Sequence, residues 1–141
     1  MKMLDLVSYI RSKRHSGRID LISYTFKFTD EGLQDVRALP KNVKNSLRKK
    51  LRNTLVKNPV ESSEELTDAL NGFRSFHFHG YRVVFKIIED IRVLAVVGIG
   101  KHDKDARKDI YSRLEEMAHS GRLAETVLNS LREFSFPSEK P

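Results

Sequence analysis

The stretch from Phe73 to Lys101, FRSFHFHGYRVVFKIIEDIRVLAVVGIGK, holds three successive strand patterns separated only by Gly80 and by Glu89-Asp90. Strands joined by connections that short pair as antiparallel neighbours, so the spacing predicts a meander over about residues 73–79, 81–88 and 91–98. Between Phe73 and His79 the side chains alternate, with Phe76 and Phe78 on one side and Ser75, His77 and His79 on the other. One face therefore belongs to a core and the other carries imidazoles. Val93, Leu94, Ala95, Val96 and Val97 are apolar at every position, as expected for a strand covered on both faces.

The preceding segment supplies a partner strand and two helices. Tyr24, Phe26 and Phe28 alternate with Thr25 and Lys27, and Thr29 stands where it can cap a helix carrying Leu33, Val36 and Leu39. Pro40 suits the first turn of a second helix, on which Val43, Leu47, Leu51 and Leu55 recur at spacing four and form an inward stripe. Lys44, Arg48, Lys49 and Arg52 fall outside that stripe, and Asn58-Pro59 ends the helix. Residues 60–72 read as an acidic connection with a single helical turn. After the meander, a helix over about Asp105 to His119 carries Ile110, Leu114 and Met117, Gly121 ends it, and a last helix runs from Leu123 to Leu131. Met3, Leu4, Leu6, Val7 and Ile10 predict a short amphipathic helix at the N-terminus, and a tail contains Pro137 and Pro141.

The expected fold is α+β, a mainly antiparallel four-stranded sheet packed against two N-terminal helices, with C-terminal helices and a short N-terminal helical extension. The expected divisions are 1–22 as extension, 23–117 as the main domain, and 118–141 as helix and tail. A chain of 141 residues is long enough for one self-sufficient core. It has no cysteine, which excludes disulfides, thiolate nucleophiles and cysteine-held zinc. No apolar run has the length of a signal peptide or a membrane span, so the expected location is the cytoplasm. The net charge is +7, and residues 1–60 hold 14 Lys and Arg against 5 Asp and Glu, about +9 in that part alone. Such a surplus favours a polyanionic partner.

The order strand, helix, helix, meander resembles the RelE/ParE toxin superfamily. The features that carry the resemblance span about residues 23–117. They are the Tyr-x-Phe-x-Phe-Thr opening, the Asn58-Pro59 stop, Gly80-Tyr81-Arg82 at a strand start, and Gly98-Ile99-Gly100-Lys101 leading to Ile110-Tyr111. The resemblance implies a toxin of a bacterial toxin-antitoxin pair, held by a cognate antitoxin in a hetero-oligomer. RelE-like members enter the ribosomal A site and cut messenger RNA, whereas ParE-like members inhibit DNA gyrase; a catalytically degenerate member that only binds its antitoxin is a third alternative. It further implies that Arg82 contacts the scissile phosphate, that Lys101-His102 replaces a Lys-Arg pair, and that Tyr111 stacks on or donates to substrate. His77 and Ser75 stand where basic residues are common in RelE-like members.

The corresponding chemistry is cofactor-free RNA cleavage, with the ribosome and messenger RNA as partners. A base takes the proton of the 2′-hydroxyl, an acid protonates the leaving 5′-oxygen, and cations hold the phosphorane charge. Histidine serves either proton-transfer role near neutrality, and arginine grips phosphate with a permanent, bidentate charge. The candidate catalytic set is His77, His79, Arg82, Lys101, His102 and Tyr111, with the histidine roles unassigned. The candidate RNA-binding set is Lys44, Arg48, Lys49, Arg52 and Arg74. Each has a plainer reading: the histidines as solvated strand or loop residues, Arg82 as half of a surface ion pair, Tyr111 as core packing. His77-x-His79 with His102 or Asp103 is an alternative zinc set, but no carboxylate stands at an obvious spacing to orient a ligand histidine. Gly98-x-Gly100-Lys101 lacks the earlier glycine and the following Ser or Thr of a P-loop.

Overall fold

The computed structural model describes residues 23–132, so the expected helix near the N-terminus and the tail from residue 133 lie outside the described residues. Strand β1 (Thr25–Phe28) leads into helices α1 (Asp30–Ala38) and α2 (Lys41–Lys50). Short β2 (Glu64–Glu65) is followed by β3 (Arg74–Phe78), β4 (Tyr81–Ile88) and β5 (Val93–Lys101), then helices α3 (Ile110–His119) and α4 (Arg122–Ser130). The sheet order is β1-β5-β4-β3-β2, with β1 parallel to β5 and every other pair antiparallel. The α+β meander is as expected, but the sheet has five strands rather than four. The additional strand is two glutamates at the edge, too short and too polar to carry a period of two.

The helices begin and end for local reasons. Thr29 caps α1 by accepting the amide of Gly32 at 3.1 Å, while Asp30 and Glu31 favour the positive end of the helix dipole. Helix α2 passes into a wide π turn over Leu51–Leu55, where the Val56 amide reaches back to the Leu51 carbonyl at 3.0 Å. The extra residue in that turn brings both Leu55 and Val56 into the core and ends the helix before Asn58-Pro59.

Two cores sandwich the sheet. Against α1 and α2 pack Leu47, Leu51, Leu55, Phe76, Phe78, Val83, Phe85, Leu94, Val96 and Ile99. Against α3 and α4 pack Val84, Ala95, Val97, Ile110, Leu114, Met117, Leu123 and Val127. Each of these side chains larger than Ala95, fully buried, contributes about 1.5–3 kcal/mol relative to exposure. A bulge in β5 allows both cores to be filled: Val84 pairs with Gly98 and Phe85 with Val96, so Val97 is extra. Val97 and Gly98 both face α3 as a result.

Where β1 ends, β5 continues with one edge open. Asp35 of α1 closes it, accepting the Ile99 amide at 2.9 Å and the Arg113 guanidinium of α3 through both carboxylate oxygens. Glu31 accepts from Arg122 at 3.2 Å and from the Thr126 hydroxyl at 2.9 Å, joining α1 to α4.

Candidate active site

The strands set one face of the site. His77 of β3 lies directly across from Arg82 of β4, and Ser75 across from Val84, so all four side chains share the face covered by α3. Arg82 is half-buried, and its Nη1 reaches the carbonyls of Gly80 and Tyr81, both at 3.3 Å, with no carboxylate contact among the described residues. The His77 imidazole is half-exposed, with Nε2 at 3.5 Å from Glu64 on β2.

The end of β5 and the start of α3 set the other face. A Cβ on Gly98 would stand 3.1 Å from Ile110 Cδ1, and one on Gly100 would stand 3.2 Å from Ile110 Cβ. Only glycine lets the first turn of α3 lie this close to the strand. That approach brings Asp109 and Tyr111, on either side of Ile110, next to His102. Asp109 caps α3 and is 5% exposed. Its Oδ1 accepts His102 Nδ1 at 2.7 Å and the Asp103 amide at 2.8 Å, and its Oδ2 accepts the Ser112 amide at 2.9 Å and hydroxyl at 3.0 Å. Burial alone would raise this carboxyl, but the His102 hydrogen bond and the other three donors outweigh it and hold its pKa at about 2. The Tyr111 ring meets the His102 ring edge-on at 5.1 Å between centroids, and its hydroxyl shares a 2.7 Å hydrogen bond with Ser75.

The candidate set is therefore divided. Arg82, His77, His102 and Tyr111 occupy one face, whereas His79 and Lys101 lie elsewhere. Strand β3 stops at Phe78, and His79 with Gly80 forms a two-residue turn with φ of +47° and +79°. Both central residues are left-handed, as such hairpins favour. The expected alternation through His79 fails because the turn takes His79 out of the strand. His79 instead borders a cleft of about 300 Å³ with Lys49, Lys50, Asn53 and Phe78. Lys101 places its Nζ 5.4 Å from the centre of the Tyr81 ring, and Tyr81 packs against the first core. The zinc alternative loses its geometry, since His77 and His79 do not share a face. Among the described residues, no three His, Asp or Glu side chains converge as a metal set.

The basic set is divided too. Lys44, Arg48 and Arg52 border a cleft of about 290 Å³ with Phe26 and Phe28, while Lys49 and Lys50 face the hairpin. Arg74 is used by the fold: its guanidinium donates to Ser63 Oγ at 2.6 Å and to the carbonyls of Val60 and Ser63 at 3.0 and 3.1 Å. Among the described residues, no helix is long and apolar enough to cross a membrane.

Asp109 is the residue that sequence reasoning missed. Extending the last long helix back to Asp105 makes it a helix-interior residue. In the structure, residues 103–109 turn through side-chain contacts, with the Asp105 amide bound to Asp103 at 2.8 Å and the Arg107 amide to Asp105 at 3.0 Å. The available signal was an aspartate just before Ile110, a cap position. A carboxylate that orients a histidine is therefore present after all.

The family model described as the ParE toxin of type II toxin-antitoxin systems, parDE, matches residues 26–106. The chain belongs to this family of toxins. A putative RelE-like toxin protein of Escherichia coli is 28% identical over 94 residues, 66% of this chain and 95% of that protein. Among solved structures, the RelBE2 toxin-antitoxin complex of Mycobacterium tuberculosis aligns with a TM-score of 0.53 at 21% identity, covering 55% of this chain and 95% of that one. A mutant of the E. coli toxin RelE in the free state aligns at 0.53 and 22%, covering 69% and 97%. These likenesses show the RelE-like fold of the chain.

Proposed function

We propose that this toxin is a ribosome-dependent endonuclease that cuts messenger RNA without a metal ion. The observation that carries the reading is the His102 imidazole, bound to a buried carboxylate on one side and half-exposed on the other, on the same sheet face as Arg82 and His77. A target phosphate held by Arg82 would lie on the face that carries the imidazoles, the candidates for proton exchange with the 2′- and 5′-oxygens beside it. The base takes the 2′-hydroxyl proton as the 2′-oxygen bonds to phosphorus. The bond to the 5′-oxygen then breaks, and that oxygen takes a proton from the acid, leaving a cyclic phosphate and a 5′-hydroxyl. Each proton transfer contributes typically about 10²–10⁴-fold. The basic residues of α2 fit a ribosomal RNA surface, and membership of the toxin-antitoxin family supports a cognate antitoxin as the controlling partner.

The test is bacterial cell-free translation with cuts mapped by primer extension. Wild type should cut messages within the ribosome, and Arg82→Ala should lower the rate by at least ten-fold with the melting temperature unchanged. Intact messages beside a RelE control that cuts them would refute the reading. A second reading, inhibition of DNA gyrase without catalysis, is favoured by the match to the ParE model, which ends before Asp109 and Tyr111. It requires loss of supercoiling in the toxin's presence and indifference to Arg82→Ala.

A further inference from the structure

We infer that Asp109 is a positioning residue that locks His102 into one tautomer and makes Nε2 its proton-accepting atom; the assignment of the accepted proton rests on the nuclease reading above. Asp109 is 5% exposed and receives four donors, two on each oxygen. An ionised carboxylate only accepts hydrogen bonds, so the atom 2.7 Å from Oδ1, His102 Nδ1, must carry a proton in every protonation state of the ring. A neutral His102 then has its lone pair on Nε2.

Rotation of the ring is opposed from two further directions. Turning it over would bring a carbon to Asp109 and forfeit a charge-assisted hydrogen bond. The Tyr111 ring stands edge-on to it, itself tied to Ser75 of β3 by the 2.7 Å hydrogen bond between hydroxyls. Ser75 is 1% exposed, so the sheet interior anchors this chain of contacts. The order is sheet, Ser75, Tyr111, His102, Asp109, helix cap. The side chain is 59% exposed, and among the described residues Nε2 has no hydrogen-bond partner.

The neighbouring histidine provides the contrast. His77 meets Glu64 at 3.5 Å, and that glutamate is 74% exposed, so water competes for both and the ring is free to present either nitrogen. His102 is therefore assigned as the base, its Nε2 carrying the lone pair that takes the 2′-hydroxyl proton. Asp109 accordingly acts through His102 and not on the RNA.

The direct test needs no variant. Nitrogen-15 spectra of the wild-type chain, taken with the ring neutral, should show protonated Nδ1 and unprotonated Nε2; the reverse pattern overturns the inference even if the protein cuts RNA. The second test separates positioning from helix capping. Asp109→Ser keeps a side-chain acceptor for the Ser112 amide but does not reach His102. A positioning role predicts a fall in kcat of roughly 10²-fold, the low end of a positioned acid–base group, with KM unchanged and the Nδ1–H signature lost. Unchanged kcat in folded Asp109→Ser would overturn it. Absence of cutting by the wild type, with the Nδ1–H signature present, would refute the nuclease reading and leave the tautomer assignment standing.

Discussion

Asp109 has a consequence for stability as well as for the site. Its carboxyl titrates at about 2 in the folded chain against an ordinary 3.8, so it binds a proton less readily folded than unfolded. The stabilisation is fully present above about pH 4 and is lost as pH falls through about 2, and the separation is worth about 2 kcal/mol. Denaturant melts of wild type and Asp109→Ala should therefore differ most near neutrality and converge by roughly that amount in strong acid. Arg74, by contrast, serves the fold and not the site. As an arginine on a strand it reads as available to RNA, but four contacts to Val60, Ser63 and Glu65 hold it, so Arg74→Ala should cost stability, with the melting temperature falling by several degrees.

Helices and strands were legible where a single period governs them. The Leu47, Leu51 and Leu55 stripe is buried as the spacing requires, and β5 is buried on both faces over Val93–Val97. Legibility failed where hydrogen bonds, not periods, decide: the His79 turn, the two-residue β2, and the 103–109 loop all depend on backbone φ or on carboxylate contacts. The candidate site was legible as a set of residue types on one stretch, but not as a constellation, because alternation cannot show that His79 leaves its strand or that an aspartate seven residues on reaches His102. The packing of β5 on α3 gives an element-level prediction. Gly100→Ala places a Cβ 3.2 Å from Ile110 Cβ, so α3 must shift. The expected cost is about 1–3 kcal/mol, with a loss of cutting larger than stability explains, read from melts and cleavage rates together. Asp35→Ala should cost a similar about 1–3 kcal/mol by orphaning the Ile99 amide and the Arg113 guanidinium.

For the molecule as a whole, the basic surplus lies on the first half of the sequence and the candidate proton-transfer groups on the second. On the nuclease reading, recognition and chemistry should be separable. Replacing Lys49 and Lys50 with alanine should weaken binding to ribosomal RNA without sequence preference and reduce its salt dependence, measured by titration at several salt concentrations. The slope of log K against log salt should fall by about 0.7–0.9 for each phosphate that the variant no longer neutralises. Catalysis on saturated ribosomes should be little changed, because neither lysine touches the Asp109, His102 and Tyr111 group.

The parallel pairing of β1 with β5 joins Thr25 to Val93, residues far apart in the chain. During synthesis, everything up to β4 emerges without the strand that lines both cores, and β1 has no neighbour to pair with. Closing so long a loop is slow compared with forming the local hairpin. A nascent chain lacking β5 is therefore expected not to fold, and a fragment ending at residue 92 should show no cooperative melt.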